Sequence, residues 1–352
     1  MRDNPKIAAT YAATPMQMGM LFHSAAEKGR GVYSLQVVCS LREEVLFDLL
    51  QSALRYVIRQ HEALRTTFSF PSGSDPVQEV WKEVEVKIET SDLRNLEASI
   101  REQRLNEFVI RSRDEWINPC CMPLMRFALI RMTDSESRFI WILPHALLDR
   151  SGVAIVVKQL LDTYDALRNG EQPRQSPPSG SFSSYVQCET AQDFFVSKNH
   201  WQATFESFVP ALAYSNSGRK GAWKEQELVL PETLAETLEK MAEDNGCTLN
   251  TILQAVWSVT RGINAADPDI AFGITRSCRS RFAHGDSVVG LCMNTLPLRI
   301  KFRGGDSFVA LLQRIRRQVL ALRSFESTPL AAIQSWVGGR NRYTFIQYVN
   351  GI

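Results

Sequence analysis

The stretch FIWILPHALLDRSG, residues 139–152, is the most informative part of this chain, and it begins with a run of aromatic and aliphatic residues. The run LMRFALIRM at residues 124–132 has the same character, and the polar residues TDSES separate the two runs. We therefore predict two strands joined by a turn. Apolar residues then recur at helical spacing over residues 153–167, which predicts a helix. His145 lies where the second strand ends, and Asp149 follows four positions later in the predicted loop.

Strands and helices alternate along the rest of the chain as well. The sequence pattern predicts further strands at residues 34–41, 77–89, 226–231, 269–277, 287–301 and 343–349. It predicts one further helix that begins at Thr14-Pro15. Six more are predicted at residues 45–60, 93–111, 185–208, 232–244, 251–263 and 308–324. Long helices between strands are typical of the α/β class, so we expect two mixed α/β sandwiches side by side.

A segment of different composition lies near the middle of the chain. NGEQPRQSPPSGSFSS, residues 169–184, concentrates Pro, Gly, Ser and Gln and fits neither a helical nor a strand period. Such composition is typical of a linker. We therefore predict an N-terminal lobe at residues 1–175 and a C-terminal lobe at residues 176–352.

Composition excludes several classes of function. Lys+Arg 40 against Asp+Glu 38 gives a net charge of +2, which provides no basic excess for nucleic acid. No apolar run approaches the roughly 18 residues needed to span a membrane, and the N-terminus lacks a signal peptide, so we expect a cytoplasmic protein. The 7 cysteines form no C-x-x-C pair, and we interpret them as inert thiols rather than zinc ligands or disulfides.

Three sites in the sequence contain residues that are candidates for catalysis or substrate binding. Each site also has an ordinary structural interpretation. A histidine delivered by a strand end can act as a general base, because its pKa lies near neutral pH. From these two residues alone, His145 is also consistent with a structural histidine, and Asp149 with a loop carboxylate. Arg65, in RQHEALRTTF, is a candidate partner for a buried carboxylate or a solvated cation at a helix end. Asn294, in GLCMNTLPLRI, either lines a tunnel or forms hydrogen bonds within its sheet.

Taken together in order, these motifs resemble the condensation domain of nonribosomal peptide synthetases. ATPMQMGMLFHS resembles the first motif of that family, in its fungal-type form, and RQHEALRTTF closely matches the second. LPHALLDRSG stands where the family has its HHxxxDG signature. FSSY resembles the fourth motif, CTLNTILQAVWSV, DIAFGITRSCR and VVGLCMNTLPLRI match the segment through the fifth, and YTFIQYVN resembles the strand after the sixth.

The resemblance implies two chloramphenicol-acetyltransferase-like lobes that form a V with a central tunnel. The HxxxD motif of this chain would belong to the N-terminal lobe. The C-terminal lobe is expected to be incomplete, because family members continue beyond the strand YTFIQYV. It implies amide bond formation between aminoacyl or peptidyl thioesters on two carrier proteins. The expected partners are donor and acceptor carrier proteins and neighbouring adenylation domains, with no cofactor beyond the phosphopantetheine arms of the carriers. We expect a monomer.

The resemblance also assigns roles to individual residues. His145 matches the second histidine of the signature, as general base or as orienter of the amine. Asp149 matches the mainly structural aspartate, and we expect it to pair with Arg279 or, as second choice, with Arg65. Arg150 is a further supporting residue. The residues expected along the substrate and pantetheine tunnel are Asn294, Gly290, Pro144, Ser151 and Gly152, and no metal is expected.

Two residues depart from the signature. Pro144 replaces its first histidine, and Arg150 replaces its glycine. We expect the arginine to restrict the backbone of the loop, and to narrow one entrance, bind an anion or abolish condensation. The alternatives are therefore an ester-forming, cyclising or stand-alone acyltransferase, or a module that docks carrier proteins without catalysis.

Overall fold

The computed structural model of this protein describes residues 6–173, 180–209, 228–337 and 348–349. The chain divides into two compact units, of which the first comprises Met1–Gln192 and Cys278–Met293 and the second comprises Asp193–Ser277 and Asn294–Ile352. This division differs from the boundary predicted after residue 175, because the first unit extends to Gln192 and also includes Cys278–Met293. The two lobes themselves stay a prediction.

The first unit contains two sheets and five helices in the described residues. Its strands are β1 (Ile7–Ala12), β2 (Ser34–Leu41), β3 (Thr66–Ser69), β4 (Val77–Trp81), β5 (Ile88–Asp92), β6 (Arg126–Thr133) and β7 (Glu136–Pro144). Its helices are α1 (Pro15–Ala26), α2 (Phe47–Gln60), α3 (Ala98–Asp114), α4 (Arg150–Arg168) and α5 (Phe182–Thr190). One sheet has the strand order β2-β7-β6-β5, and the other has the order β1-β4-β3.

Strand β7 is the centre of the first unit because both of its faces are buried. Trp141 and Leu143 belong to the core formed with α2 and α4, whereas Ile140 and Ile142 belong to a second cluster with Leu105 of α3. A strand buried on both faces is apolar along its whole length rather than alternating. This double burial explains the unbroken run FIWIL. Packing on both faces also fixes the position of the end of β7.

The second unit is also mixed α/β. Its helices are α6 (Phe195–Thr204), α7 (Glu232–Asp244), α8 (Leu249–Ala265), α9 (Phe308–Ala321) and α10 (Leu330–Val337). Its strands are β8 (Asp269–Ser277), β9 (Met293–Lys301) and β10 (Tyr348–Val349), in the order β10-β8-β9. Trp201, Phe272 and Leu312 lie in its core. None of the helices in the described ranges is both long enough and apolar enough to cross a membrane.

Most predicted elements in the described residues are confirmed, with three exceptions. The predicted strand at 287–301 is wrong in its first part, because a 3₁₀ turn ends at Ser287 and residues 288–292 form a loop before β9. Residues 228–231 of the strand predicted at 226–231 contain no strand. The predicted helix 185–208 is two helices, α5 and α6. Residues 174–179 of the predicted linker, residues 226–227 and residues 343–347 lie outside the described residues.

His61 makes the stability of the first unit depend on pH. It is buried, and its Nε2 lies 2.5 Å from Oε1 of Gln159. Burial lowers the pKa of His61 in the folded state below its ordinary value of 6.5. The unfolded chain therefore takes up a proton first as the pH falls, so the stability contributed by neutral His61 is present above pH 6.5 and is lost below it.

We predict that the free energy of unfolding falls between pH 7 and pH 5 with a slope of at most about 1.4 kcal/mol per pH unit from this one proton. His61→Gln should flatten that slope in urea unfolding measured across the pH range. His23→Gln, at an exposed position on α1, is the matched control and should leave it unchanged. An identical slope in wild type and His61→Gln would contradict the prediction.

Candidate active site

His145 is held at the end of β7 by its backbone and by its ring. Pro144, the last residue of the strand, has no N–H, so the next donor along the strand is His145. Its backbone N–H donates to the carbonyl oxygen of Tyr33 at 2.8 Å, and its ring Nδ1 lies 2.9 Å from the carbonyl oxygen of Leu148. A carbonyl oxygen only accepts hydrogen bonds, so Nδ1 carries a proton. The neutral ring therefore presents an unprotonated Nε2, which has no hydrogen-bond partner among the described residues.

Helix α1 holds the other side of the His145 loop. Gln17, which is completely buried, donates from Nε2 to the carbonyl oxygen of Ala146 at 2.9 Å and to Oε1 of Gln78 at 2.9 Å. Gln17 also forms a capping box with Thr14 at the start of α1. Gln17 was not among the predicted supporting residues. The spacing Thr14-x-x-Gln17 is the signal that marks it as a helix-cap residue, but nothing in that spacing indicates the contact with Ala146.

Asp149 is buried, and its two carboxylate oxygens are occupied by structural contacts. Oδ1 accepts from the N–H of Gly152 at 2.8 Å, which caps α4, and from Nη2 of Arg279 at 2.7 Å. Oδ2 accepts from the N–H of Cys292 at 3.0 Å. Among the described residues Asp149 makes no hydrogen bond to His145. The carboxylate therefore holds the start of α4 against residues 278–293 and does not orient the imidazole ring.

Arg279 completes this buried network from the other side. Its Nη1 donates to the carbonyl oxygens of Gly285 at 2.9 Å and Val288 at 2.5 Å, while Nη2 reaches Asp149. The side chains of Arg279 and Asp149 are 4% and 8% exposed, respectively. A buried carboxylate of this kind is tolerable because a guanidinium and two backbone N–H groups replace its lost hydration.

The second-choice partner of Asp149, Arg65, is not used. Arg65 ends a short 3₁₀ turn after α2 and donates to the carbonyl oxygens of Trp81 and Lys82 at the end of β4. The pairing of Arg65 with Asp149 was therefore wrong, because each side chain is already engaged elsewhere. A supporting role of Arg65 in the active site stays a prediction.

Arg150 occupies the first position of α4. Its side chain is exposed and makes no hydrogen bond or ion pair with any residue that the structure describes. The expectation that it restricts the loop backbone is wrong, because this position has ordinary helical geometry, which arginine adopts freely. Ser151 beside it is also exposed. The effect of the arginine on substrates stays a prediction.

Two glycines lie close together beneath the start of α4. A Cβ atom at Gly290 would come within 2.1 Å of the ring of Phe182, and one at Gly152 would lie 3.3 Å from backbone atoms of Gly290. The N–H of Asp149 also donates to the carbonyl oxygen of Gly290. The structure thus gives both glycines a packing role, and their predicted place along a tunnel stays a prediction.

Asn294, in the second unit, uses its side chain to hold a loop. Its Nδ2 donates to the carbonyl oxygens of Glu326 and Thr328, both at 2.8 Å, and its Oδ1 accepts from the N–H of Thr295 at 2.8 Å. Glu326 is buried and forms an ion pair with Arg276 at 2.6 Å. Every polar atom of the Asn294 side chain therefore has a hydrogen-bond partner within the second unit.

The described residues give less support to a cysteine nucleophile or a metal site. Burial raises the pKa of the Cys292 thiol to about 12, so this cysteine stays protonated and is a poor nucleophile. No group of three or more His, Cys, Asp or Glu side chains with metal-binding geometry occurs in the part of the chain that the structure describes. The arrangement provides one imidazole base with a fixed tautomer on a rigid loop.

The ion pair between Asp149 and Arg279 should dominate the stability of this site. We predict that Asp149→Ala and Arg279→Ala each lower the free energy of unfolding by about 3–5 kcal/mol, because each leaves a buried charge without its partner. The double variant should cost less than the sum of the two. Asp162→Ala removes the exposed pair with Lys158 and should cost about 0.5 kcal/mol or less. Urea denaturation measures all four, and equal losses at Asp149 and Asp162 would contradict the prediction.

Comparison with known proteins identifies relatives along nearly the whole chain. The family model described as Condensation domain matches residues 7–343. One of the subunits of linear gramicidin synthase of Brevibacillus parabrevis is 32% identical over 343 residues, which is 95% of this chain and 4% of that protein. Surfactin synthase subunit 3 of Bacillus subtilis (strain 168) is 29% identical over 330 residues, which is 92% of this chain and 26% of that protein. The chain therefore spans only a small part of the length of these relatives.

A solved structure agrees with the fold. A variant of the starter condensation domain of rhizomide synthetase, in complex with C8-CoA, superposes with a TM-score of 0.82 at 18% identity, covering 97% of this chain and 78% of that one. The predicted α/β class is thereby confirmed. The chain belongs to the condensation domain family of nonribosomal peptide synthetases and has the mixed α/β, chloramphenicol-acetyltransferase-like fold of that family.

Proposed function

We propose that this chain joins two carrier-bound thioesters by forming an amide bond, with His145 as the general base. The observation that carries the proposal is the contact between Nδ1 of His145 and the carbonyl oxygen of Leu148 at 2.9 Å. That contact leaves Nε2 free to accept a proton from an attacking amine. Membership in the condensation domain family supports the choice of an acyl transfer reaction.

The proposed reaction needs only the two carrier-bound substrates and His145 to account for every bond and proton. The amine of the acceptor attacks the carbonyl carbon of the donor thioester, so a C–N bond forms and the C–S bond breaks. Nε2 of His145 takes a proton from the amine and returns it to the departing thiolate. Holding two tethered reactants together contributes about 7–11 kcal/mol to lowering the barrier, so orientation supplies most of the catalysis.

The proposed partners follow from the substrates. Donor and acceptor carrier proteins would present the acyl groups on phosphopantetheine arms, and neighbouring adenylation domains would load the carriers. The relatives named above support this setting, because each is far longer than the chain and carries the name of a peptide synthase. We further propose a cytoplasmic location and a monomeric state for the chain.

Two alternative functions use the same fold. An ester-forming, cyclising or stand-alone acyltransferase would use the same imidazole with a different acceptor. A catalytically inactive docking module is the alternative motivated by Arg150. The position of Arg150 favours catalysis over that alternative, because its exposed side chain at the first turn of α4 disturbs neither the Asp149 network nor the His145 loop.

Replacing His145 tests the general base directly. With a donor carrier loaded with each of a panel of aminoacyl groups and an acceptor carrier loaded with glycine, wild type should give a condensed product detectable by mass spectrometry. His145→Ala should lower the rate by about 10²–10⁴, the usual contribution of a general base. His23→Ala, at the exposed histidine of α1, is the matched control and should retain the rate. An equal rate in wild type and His145→Ala would overturn the assignment.

Restoring the signature glycine tests the inactive alternative. Arg150→Gly should leave the rate of condensation within about threefold of wild type, because the arginine side chain makes no hydrogen bond or ion pair with the described residues. The free energy of unfolding should change by less than about 1 kcal/mol, because the low helix propensity of glycine and the removal of a cation from the positive end of α4 have opposite effects. If wild type were inactive and Arg150→Gly formed product, the docking function would be favoured for the natural chain.

A further inference from the structure

Tyr33 has an unusual backbone conformation immediately before β2. Its φ angle is +56°, in the left-handed region that glycine adopts easily and that bulky residues avoid. Only Tyr33, Ser207, Ala266 and His284 share a positive φ among the non-glycine residues in the described ranges. A strained backbone conformation persists only where the surrounding contacts stabilise it. The contacts of Tyr33 are therefore expected to have a function.

The carbonyl oxygen of Tyr33 is the acceptor for the backbone N–H of His145, at 2.8 Å. Ser34 is opposite Pro144 in the antiparallel pairing of β2 with β7, so Tyr33 and His145 extend that pairing by one residue. Because Pro144 has no N–H, the bond from His145 to Tyr33 is the last one that ties the end of β7 to β2. The backbone of Tyr33 therefore fixes the point from which the imidazole projects.

The turn before Tyr33 is itself held in place. The N–H of Ser34 donates to the carbonyl oxygen of Gly31 at 3.0 Å. Gly31 packs so closely against the end of α3 that a Cβ atom there would lie 3.0 Å from Oδ1 of Asp114 and 3.2 Å from the carbonyl oxygen of Arg113. Tyr33 lines a small cleft together with Pro144 and Trp116. The turn thus packs on one side against α3 and on the other against the end of β7.

We propose that Tyr33 is a positioning residue for His145, which acts through its left-handed backbone. The inference rests on the proposed role of His145 as base. The left-handed φ of Tyr33 directs its carbonyl oxygen at the His145 N–H, so a substitution that resists this φ turns the acceptor away. A residue that acts through His145 in this way affects proton transfer and leaves substrate binding unchanged.

Three substitutions separate the backbone from the ring. Tyr33→Val removes the ring and, being β-branched, resists a positive φ. Tyr33→Asn also removes the ring but tolerates the left-handed conformation. Ala266→Val is the matched control, because Ala266 has a φ of +49° at the end of α8 in the second unit and makes no backbone hydrogen bond to the His145 loop. Both valine variants impose a comparable backbone cost at different places.

The first readout is condensation kinetics with loaded carriers. Tyr33→Val should lower kcat by about tenfold to 100-fold with KM within about threefold, because the base is misplaced while the substrates still bind. Tyr33→Asn and Ala266→Val should each keep kcat within about threefold, although Ala266→Val lowers Tm. If Tyr33→Asn loses as much kcat as Tyr33→Val, the ring and not the backbone is needed, and the proposal is overturned.

The second readout does not depend on activity. Amide hydrogen exchange, followed by mass spectrometry on the peptide that contains His145, should be about tenfold faster in Tyr33→Val than in wild type and unchanged in Tyr33→Asn and Ala266→Val. Unchanged exchange in Tyr33→Val would overturn the proposal. If wild type forms no product with any carrier pair, the proposed function fails, and the exchange result alone decides whether Tyr33 holds His145. If Tyr33→Val does not fold, Tyr33→Ala replaces it in both measurements.

Discussion

Asp149 and Arg279 form an ion pair that is almost entirely removed from water, and the arrangement of the first unit depends on it. Taking two charges out of water costs several kcal/mol for each ion, and only close geometry with further hydrogen bonds offsets that cost. Here the carboxylate also accepts from the N–H groups of Gly152 and Cys292, while the guanidinium donates to three backbone carbonyl oxygens. The pair consequently fixes the start of α4 and the course of residues 278–293 together.

This constraint explains why His145 and Asp149 have separate tasks although they share one short loop. Asp149 is fully used in holding the helix start, whereas the ring of His145 is oriented by the carbonyl oxygen of Leu148 and its backbone by that of Tyr33. Gln17 holds the carbonyl oxygen of Ala146 between them. The loop is therefore fixed residue by residue with backbone contacts, and the imidazole nitrogen Nε2 is left for chemistry.

The two departures from the family signature have different structural consequences. Pro144 ends β7 and makes His145 the last donor of the strand. Arg150 places a cation at the positive end of the α4 dipole, an arrangement that costs about 0.3–1 kcal/mol, yet its side chain is exposed and the Asp149 network forms beside it. The signature glycine is therefore dispensable for the fold of this loop, because the position needs no positive φ.

Local patterns in the amino-acid sequence were enough to specify many of the elements. The apolar run before His145, the helical spacing after Asp149 and the strand at Asp269–Ser277 all follow from periodicity, and α7 begins and ends at the predicted residues. Strand β1 was missed because three of its six residues are alanine, which has little strand preference. The folded chain was needed to choose Arg279 over Arg65 as the partner of Asp149, and to show that Gln17 holds Ala146 and that Tyr33 supports His145. These contacts join residues about a hundred or more positions apart, and no local pattern encodes them because they depend on how whole elements pack.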